Sequence, residues 1–505
     1  MDDRTHSLDA PGEPVTVRAP AGTVIGRRSG RVRRFLGIPF AEAPVGARRF
    51  AAPVPRGRFT QPFDASRHGA TSQRVPLSVT TTVPEPSVPG DDVLNLSVVA
   101  PADGLSCPVL VWIHGGGFVA GSPASPWYDG RAFARDGVVC VTVGYRLGVD
   151  GFAPLDGVPT NLGLRDLLLA LDWVRENIGA FGGDPGRVTV AGQSAGGGAV
   201  LALLSSPSGS GRFHRAVSLS GGLFDGGVGA ARAFLVRLGD RLGVPPTRAG
   251  FDGLPVERLQ QGVITLGNEH GDRGDHDPLG LRPVVGDDIL PVPVAEGLAV
   301  HGHGVPLLLG ATGDEFDGGA PGLRDAAARA AGTRVTDTLF RAACPRVAAS
   351  RRGATAGTWL YSFEWPSPVL GGAVHCADIP FFFDVLDAPG SAEALGPEPP
   401  AELATSMHSD LVAFVHGRSP AWQPATGRLG DPAREYGRPG AAPTTDTTGV
   451  FDPVVPAEPG AAASDAAEPG AVPSGAAESD AVPAGAASPG AAESGAASPG
   501  ATEEC

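Results

Sequence analysis

Ser194 lies in the pentapeptide Gly192-Gln193-Ser194-Ala195-Gly196, a GxSxG pattern, between a strand-like run (Arg187 to Gly192) and a helix-compatible stretch that begins at Ala195. A bare GxSxG occurs often by chance, so the context decides. A serine on a sharp strand–turn–helix junction has a strained backbone, and the flanking glycines remove Cβ atoms that would strike the strand and helix. The hydroxyl then projects into the cleft above a sheet, over helix N-terminal amides that favour negative charge. Such a hydroxyl is built to attack an acyl carbon.

The attack creates an oxyanion, which needs donors. His114-Gly115-Gly116-Gly117-Phe118 follows the apolar run Pro108 to Ile113. Its three glycines let a loop turn its N–H groups towards a ligand. The amides of Gly116, Gly117 and Ala195 are the expected oxyanion hole, where losing one donor typically costs about 10²–10³ in rate. Gly115, Gly117 and Ala120 also satisfy the GxGxxA form of a dinucleotide fingerprint. That reading fails: the residues that follow do not open a helix, and Asp136, the acid at the expected offset, precedes the second strand rather than ending it.

These groups need a frame. Pro108 to Ile113 and Val138 to Tyr145 are continuous apolar runs rich in β-branched residues, as central strands covered on both faces require. From Asn161 to Ile178, Leu164, Leu167, Leu168, Leu171, Val174 and Ile178 fall at helical spacing. The order strand, helix, strand, tight turn, helix predicts an α/β fold with a mostly parallel central sheet and helices on both faces.

Composition removes other chemistries. The net charge of −15 argues against a nucleic-acid partner. Every cation in the Lys+Arg count of 39 is arginine, so a Schiff base, a pyridoxal-phosphate anchor, a Walker A lysine and a Ser–Lys dyad are excluded. Cys107, Cys140, Cys344, Cys376 and Cys505 are odd in number and widely spaced, which suits reduced thiols rather than zinc or a disulfide framework. His301 and His303 form an HxH pair with no companion cluster, which reads as a surface loop; His114 shapes its glycine loop. No cofactor and no metal are expected. With no signal-like N-terminus and no membrane-spanning run, a cytoplasmic enzyme is the default. Residues 1–456 read as the catalytic domain. Residues 457–505, built from phrases such as AEPGAA and ESGAASPGA, read as a disordered acidic tail with little to bury.

With the glycine loop, the segment Asn161 to Gly197 and FLGIPFAEAPVGARRF (Phe35 to Phe50), the chain resembles the type B carboxylesterases, the bacterial branch of the carboxylesterase–cholinesterase family. The likeness runs from about Thr23 to Trp422 and takes in GRFHRAVSLSGG, LRPVVGDDILPVP, LYSFEWPSP and LVAFVHGRSPAW. It implies an α/β-hydrolase fold and cleavage of small-molecule carboxylic esters through an acyl-serine. In that fold the acid and then the histidine follow the serine. The resemblance matches the acid to Glu315 in Gly310 to Phe316, with Asp314 the adjacent alternative, and the histidine to His375 in GGAVHCADIPFFF. A histidine base predicts activity rising from mildly acidic to neutral pH. Two features depart from the family: Glu315 and His375 are only 60 residues apart, and Cys376, Ala377 and Asp378 stand where Gly and, two residues on, Glu are usual. A thioesterase or acyltransferase could use the same three residues, and a silent binding protein could share the fold; oligomeric state is not readable.

Overall fold

The computed structural model describes residues 12–76, 82–272, 280–316 and 332–454; the expected tail, 457–505, and Cys505 lie outside the described residues. Thirteen strands form one sheet: β1 (Glu13–Ala19), β2 (Gly22–Ser29), β3 (Val32–Pro39), β4 (Phe63–Asp64), β5 (Asn95–Pro101), β6 (Cys107–Ile113), β7 (Val139–Val143), β8 (Gly183–Gln193), β9 (Arg215–Leu219), β10 (Leu307–Thr312), β11 (Thr358–Phe363), β12 (Pro432–Tyr436) and β13 (Thr444–Thr448). Their order is β1-β2-β3-β5-β7-β6-β8-β9-β10-β11-β12-β13, with β4 paired to β2. The block from β7 to β12 is wholly parallel, and the pairs outside it are antiparallel apart from β2 with β4.

The apolar runs behave as two-sided strands. Val109, Val111 and Ile113 of β6 enter one hydrophobic cluster, while Leu110 and Trp112 enter another. The first cluster holds the helices Leu162–Asn177 and Ala195–Ser205, the second the helix Ala401–Val415, so the two faces of the sheet are covered by different helices. Each fully buried aliphatic side chain is worth about 1.5–3 kcal/mol, which is why period-2 strands buried on both faces read as unbroken apolar runs. This is the α/β-hydrolase arrangement. The antiparallel strands β1 to β3 were not foreseen: alternate positions of β1 and β2 stay partly exposed, and Arg33 and Arg34 interrupt the apolar run of β3.

Register explains where chemistry can happen. Ile113 pairs with Gly192, Gly192 with Ser218, and Leu219 with Gly310, so the ends of β6, β8, β9 and β10 lie level. The loops after these neighbouring parallel strands therefore open at one place, the carboxyl edge where α/β sheets carry their sites.

Candidate active site

Ser194 turns the chain from β8 into the helix Ala195–Ser205 with φ 55° and ψ −123°, a conformation that non-glycine residues seldom adopt. The amide of Ser194 donates to the Leu219 carbonyl at 2.9 Å and its carbonyl accepts from Gly198 at 2.8 Å, which fix the turn from both sides. A Cβ on Gly196 would lie 2.1 Å from the Ile113 carbonyl oxygen, so only glycine allows helix and strand to approach this closely. Ser194 remains partly exposed while its neighbours are buried.

The glycine loop abuts it. A Cβ on Gly115 would lie 3.0 Å from that of Ser194. Gly116 has φ 107° and its carbonyl accepts from both Val119 and Ala120, a tight turn that leaves the amides of Gly116 and Gly117 with no protein acceptor among the described residues. Both are partly exposed. Ala195 begins a helix, so its amide belongs to the unsatisfied first turn. The loop is braced by His114, whose ring contacts the Gly115 carbonyl at 2.8 Å and stacks on Tyr145 at 4.6 Å. Burial pushes that imidazole down to about 4, so it is uncharged and serves the loop's shape.

The acid and histidine meet across the shortened segment. Glu315, 2 % exposed, hydrogen-bonds His375 Nδ1 through Oε2, while its Oε1 accepts from the Thr312 amide at 2.9 Å. The His375 amide donates to the Glu315 carbonyl at 2.8 Å, closing a local bridge. Asp314 is engaged elsewhere: its Oδ2 accepts from the Ala373 amide at 2.6 Å, so it holds the loop rather than the imidazole. Burial disfavours an imidazolium at His375, yet the Cys376 sulfur and the Glu315 carboxylate outweigh it, and the pKa stands well above the ordinary value.

Several contributors were not read from the sequence. Phe316 and Phe340 pack on the His375 ring at 4.7 and 4.9 Å, Phe340 being delivered by the π-helical turn Thr336–Arg341. Arg341 anchors that turn through Nη1 to the Thr312 carbonyl at 3.2 Å. Ser220, with φ 46°, buries a hydroxyl that has no hydrogen-bond partner among the described residues. The position between Gly192 and Ser194 matters too: the side-chain nitrogen of Gln193 lies 3.2 Å from His375 Nε2, and among the described residues no hydrogen bond joins Ser194 to His375. Gln193 was visible as the variable letter of the motif; the aromatic clamp had no local signal. The four described cysteines are unpaired, and no three His, Cys, Asp or Glu side chains form a metal-binding group among the described residues.

The chain is similar to known esterases in sequence and in fold. The carboxylesterase family model matches residues 13–328. The para-nitrobenzyl esterase of Bacillus subtilis (strain 168) is 32 % identical over 446 residues, spanning 79 % of this chain and 89 % of that protein. The phenmedipham hydrolase of Pseudarthrobacter oxydans is 34 % identical over 465 residues, spanning 79 % and 90 %. Among solved structures, a thermophilic PNB esterase superposes with a TM-score of 0.76 at 28 % identity, covering 86 % of this chain and 97 % of its own.

Proposed function

The chain belongs to the carboxylesterase family and cleaves carboxylic esters to acid and alcohol, and from that premise we propose that Ser194, His375 and Glu315 carry the reaction. The observation that supports this most is the buried Glu315 carboxylate on His375 Nδ1, which puts the ring hydrogen on Nδ1 and the basic lone pair on Nε2. His375 Nε2 takes the proton of Ser194 as Oγ bonds to the ester carbonyl carbon. The carbonyl oxygen becomes an oxyanion facing the amides of Gly116, Gly117 and Ala195. Collapse breaks the bond to the alcohol oxygen, which receives the proton from Nε2, and the acyl-serine remains. Water then gives a proton to Nε2 and attacks the acyl carbon; the proton returns to Ser194 as the acid leaves. Glu315 holds the tautomer and stabilises the imidazolium throughout.

The described residues contain no helix long and apolar enough to cross a membrane. We read a cytoplasmic site of action, which the unpaired thiols support. The acidic net charge supports small neutral esters rather than nucleic acids as partners.

Turnover of p-nitrophenyl acetate and butyrate, with mass spectrometry after phosphonate treatment, tests the assignment. Ser194→Ala is expected to lower kcat by about 10⁴–10⁶ and to abolish the label. Phosphonate on a different serine, with Ser194→Ala still active, would refute it.

A further inference from the structure

Nε2 of His375 is the atom that must receive the serine proton, yet it faces Gln193. Because Nδ1 carries its hydrogen towards Glu315, neutral Nε2 offers only a lone pair, and the carboxamide N–H of Gln193 donates into it at 3.2 Å. Gln193 is 1 % exposed, and its Oε1 lies against the glycine loop, 2.7 Å from where a Gly115 Cβ would be. Its side chain thus spans from the glycine loop to the imidazole. We propose that Gln193 is a positioning residue for the base: its carboxamide holds His375 Nε2 in the free enzyme and releases it to Ser194 during turnover. This rests on the reading of His375 as the base.

A carboxamide suits this place because it carries a donor and an acceptor at once. The N–H₂ end donates to a neutral imidazole, while the C=O end lies against the glycine loop. A carboxylate would accept only, and would favour the protonated form of the base. The other ionisable groups near His375 are Cys376, Glu315 and Asp378, of which Glu315 bonds Nδ1.

The test is the acid limb of kcat/KM, which reports the free enzyme, measured with p-nitrophenyl butyrate and normalised by phosphonate titration of competent sites. Gln193→Met keeps the length and removes the donor. A donor to the neutral ring favours the neutral form, so its loss should raise the limb by about half a pH unit. Gln193→Glu should raise it by about one unit or more, a tenfold fall in kcat/KM at a fixed pH on the limb. A residue that only supports packing would lower kcat/KM evenly at every pH. A limb unmoved in both variants, or moved towards acid, overturns the proposal. His375→Asn separates the two readings: if that variant keeps wild-type turnover the base assignment falls, whereas a dead His375→Asn beside an unmoved limb removes only the role of Gln193.

Discussion

The two halves of the site are built by different means. The half that carries Ser194 and the glycine loop is made from contiguous residues, and its groups are largely backbone amides fixed by a strained turn and by glycines that permit close approach. The half that carries Glu315 and His375 is made from side chains that meet over 60 residues of chain and are held by an aromatic clamp, a carboxylate and a guanidinium. Backbone geometry is set by short-range sterics. Side-chain geometry at that separation is set by whatever packs around it. The first half should fail sharply when one Cβ is added, the second when one hydrogen-bonding atom is exchanged.

Loss of the nucleophile itself aside, the largest expected effect is on the assembled half. In Glu315→Gln, the Thr312 N–H still needs an acceptor and would draw the new carbonyl oxygen. The amide N–H₂ would then face Nδ1 and force the wrong imidazole tautomer, which elsewhere costs about 10⁴ in kcat. Asp314→Asn keeps an oxygen for the Ala373 amide and should leave kcat within about threefold. Steady-state kinetics of the pair decide the matter; equal losses would mean the acid has been misassigned.

Next comes the local half. Gly116→Ala would put a Cβ 2.2 Å from the Ala120 carbonyl oxygen at φ 107°, a backbone angle alanine does not tolerate. The loop must shift, and the loss of one oxyanion donor should lower kcat by about 10²–10³ with a much smaller change in KM. A KM effect alone would show that these amides bind substrate without following the charge that develops.

This contrast also explains what could be read in advance. The elbow, the glycine loop and the central strands were legible because each is a local pattern: β6 was expected from Pro108 and begins at Cys107, and the helix expected from Asn161 to Ile178 runs Leu162–Asn177. Glu315 and His375 came only through resemblance, since nothing in their neighbours' spacing distinguishes them from other acids and histidines. Phe340 could not be found at all. Its role depends on a turn whose placement is decided by Arg341 reaching Thr312 and Ser362 on two different strands.

A third test sets the charge balance of the assembled half. His375 must be neutral to act as base, and its pKa is raised, so activity should climb as pH rises through a midpoint above 6.5. A pH profile of kcat/KM for wild type measures it. A midpoint at or below the free-imidazole value would mean that Glu315 and Cys376 do not dominate the ring's surroundings in solution.

The smallest effect concerns a residue that binds nothing in the reaction. Asp378 is buried, accepts from the Tyr361 hydroxyl at 2.9 Å through Oδ2, and leaves Oδ1 without a hydrogen-bond partner among the described residues. Burial and the nearby Glu315 charge push its carboxyl up to about 7. A raised folded-state pKa favours the native fold while the group stays protonated, so this contribution is complete below the unfolded value near 4 and is lost as pH rises through about 7. Asp378→Asn keeps an acceptor for Tyr361 and cannot ionise. Its Tm should exceed that of wild type by about 2–4 °C at pH 8 and lose that advantage as pH falls to about 4, as thermal unfolding at the two pH values would register. An equal change at both would mean that the carboxyl does not titrate in the fold, and the charge crowding that marks the assembled half would then lie in Glu315 and His375 alone.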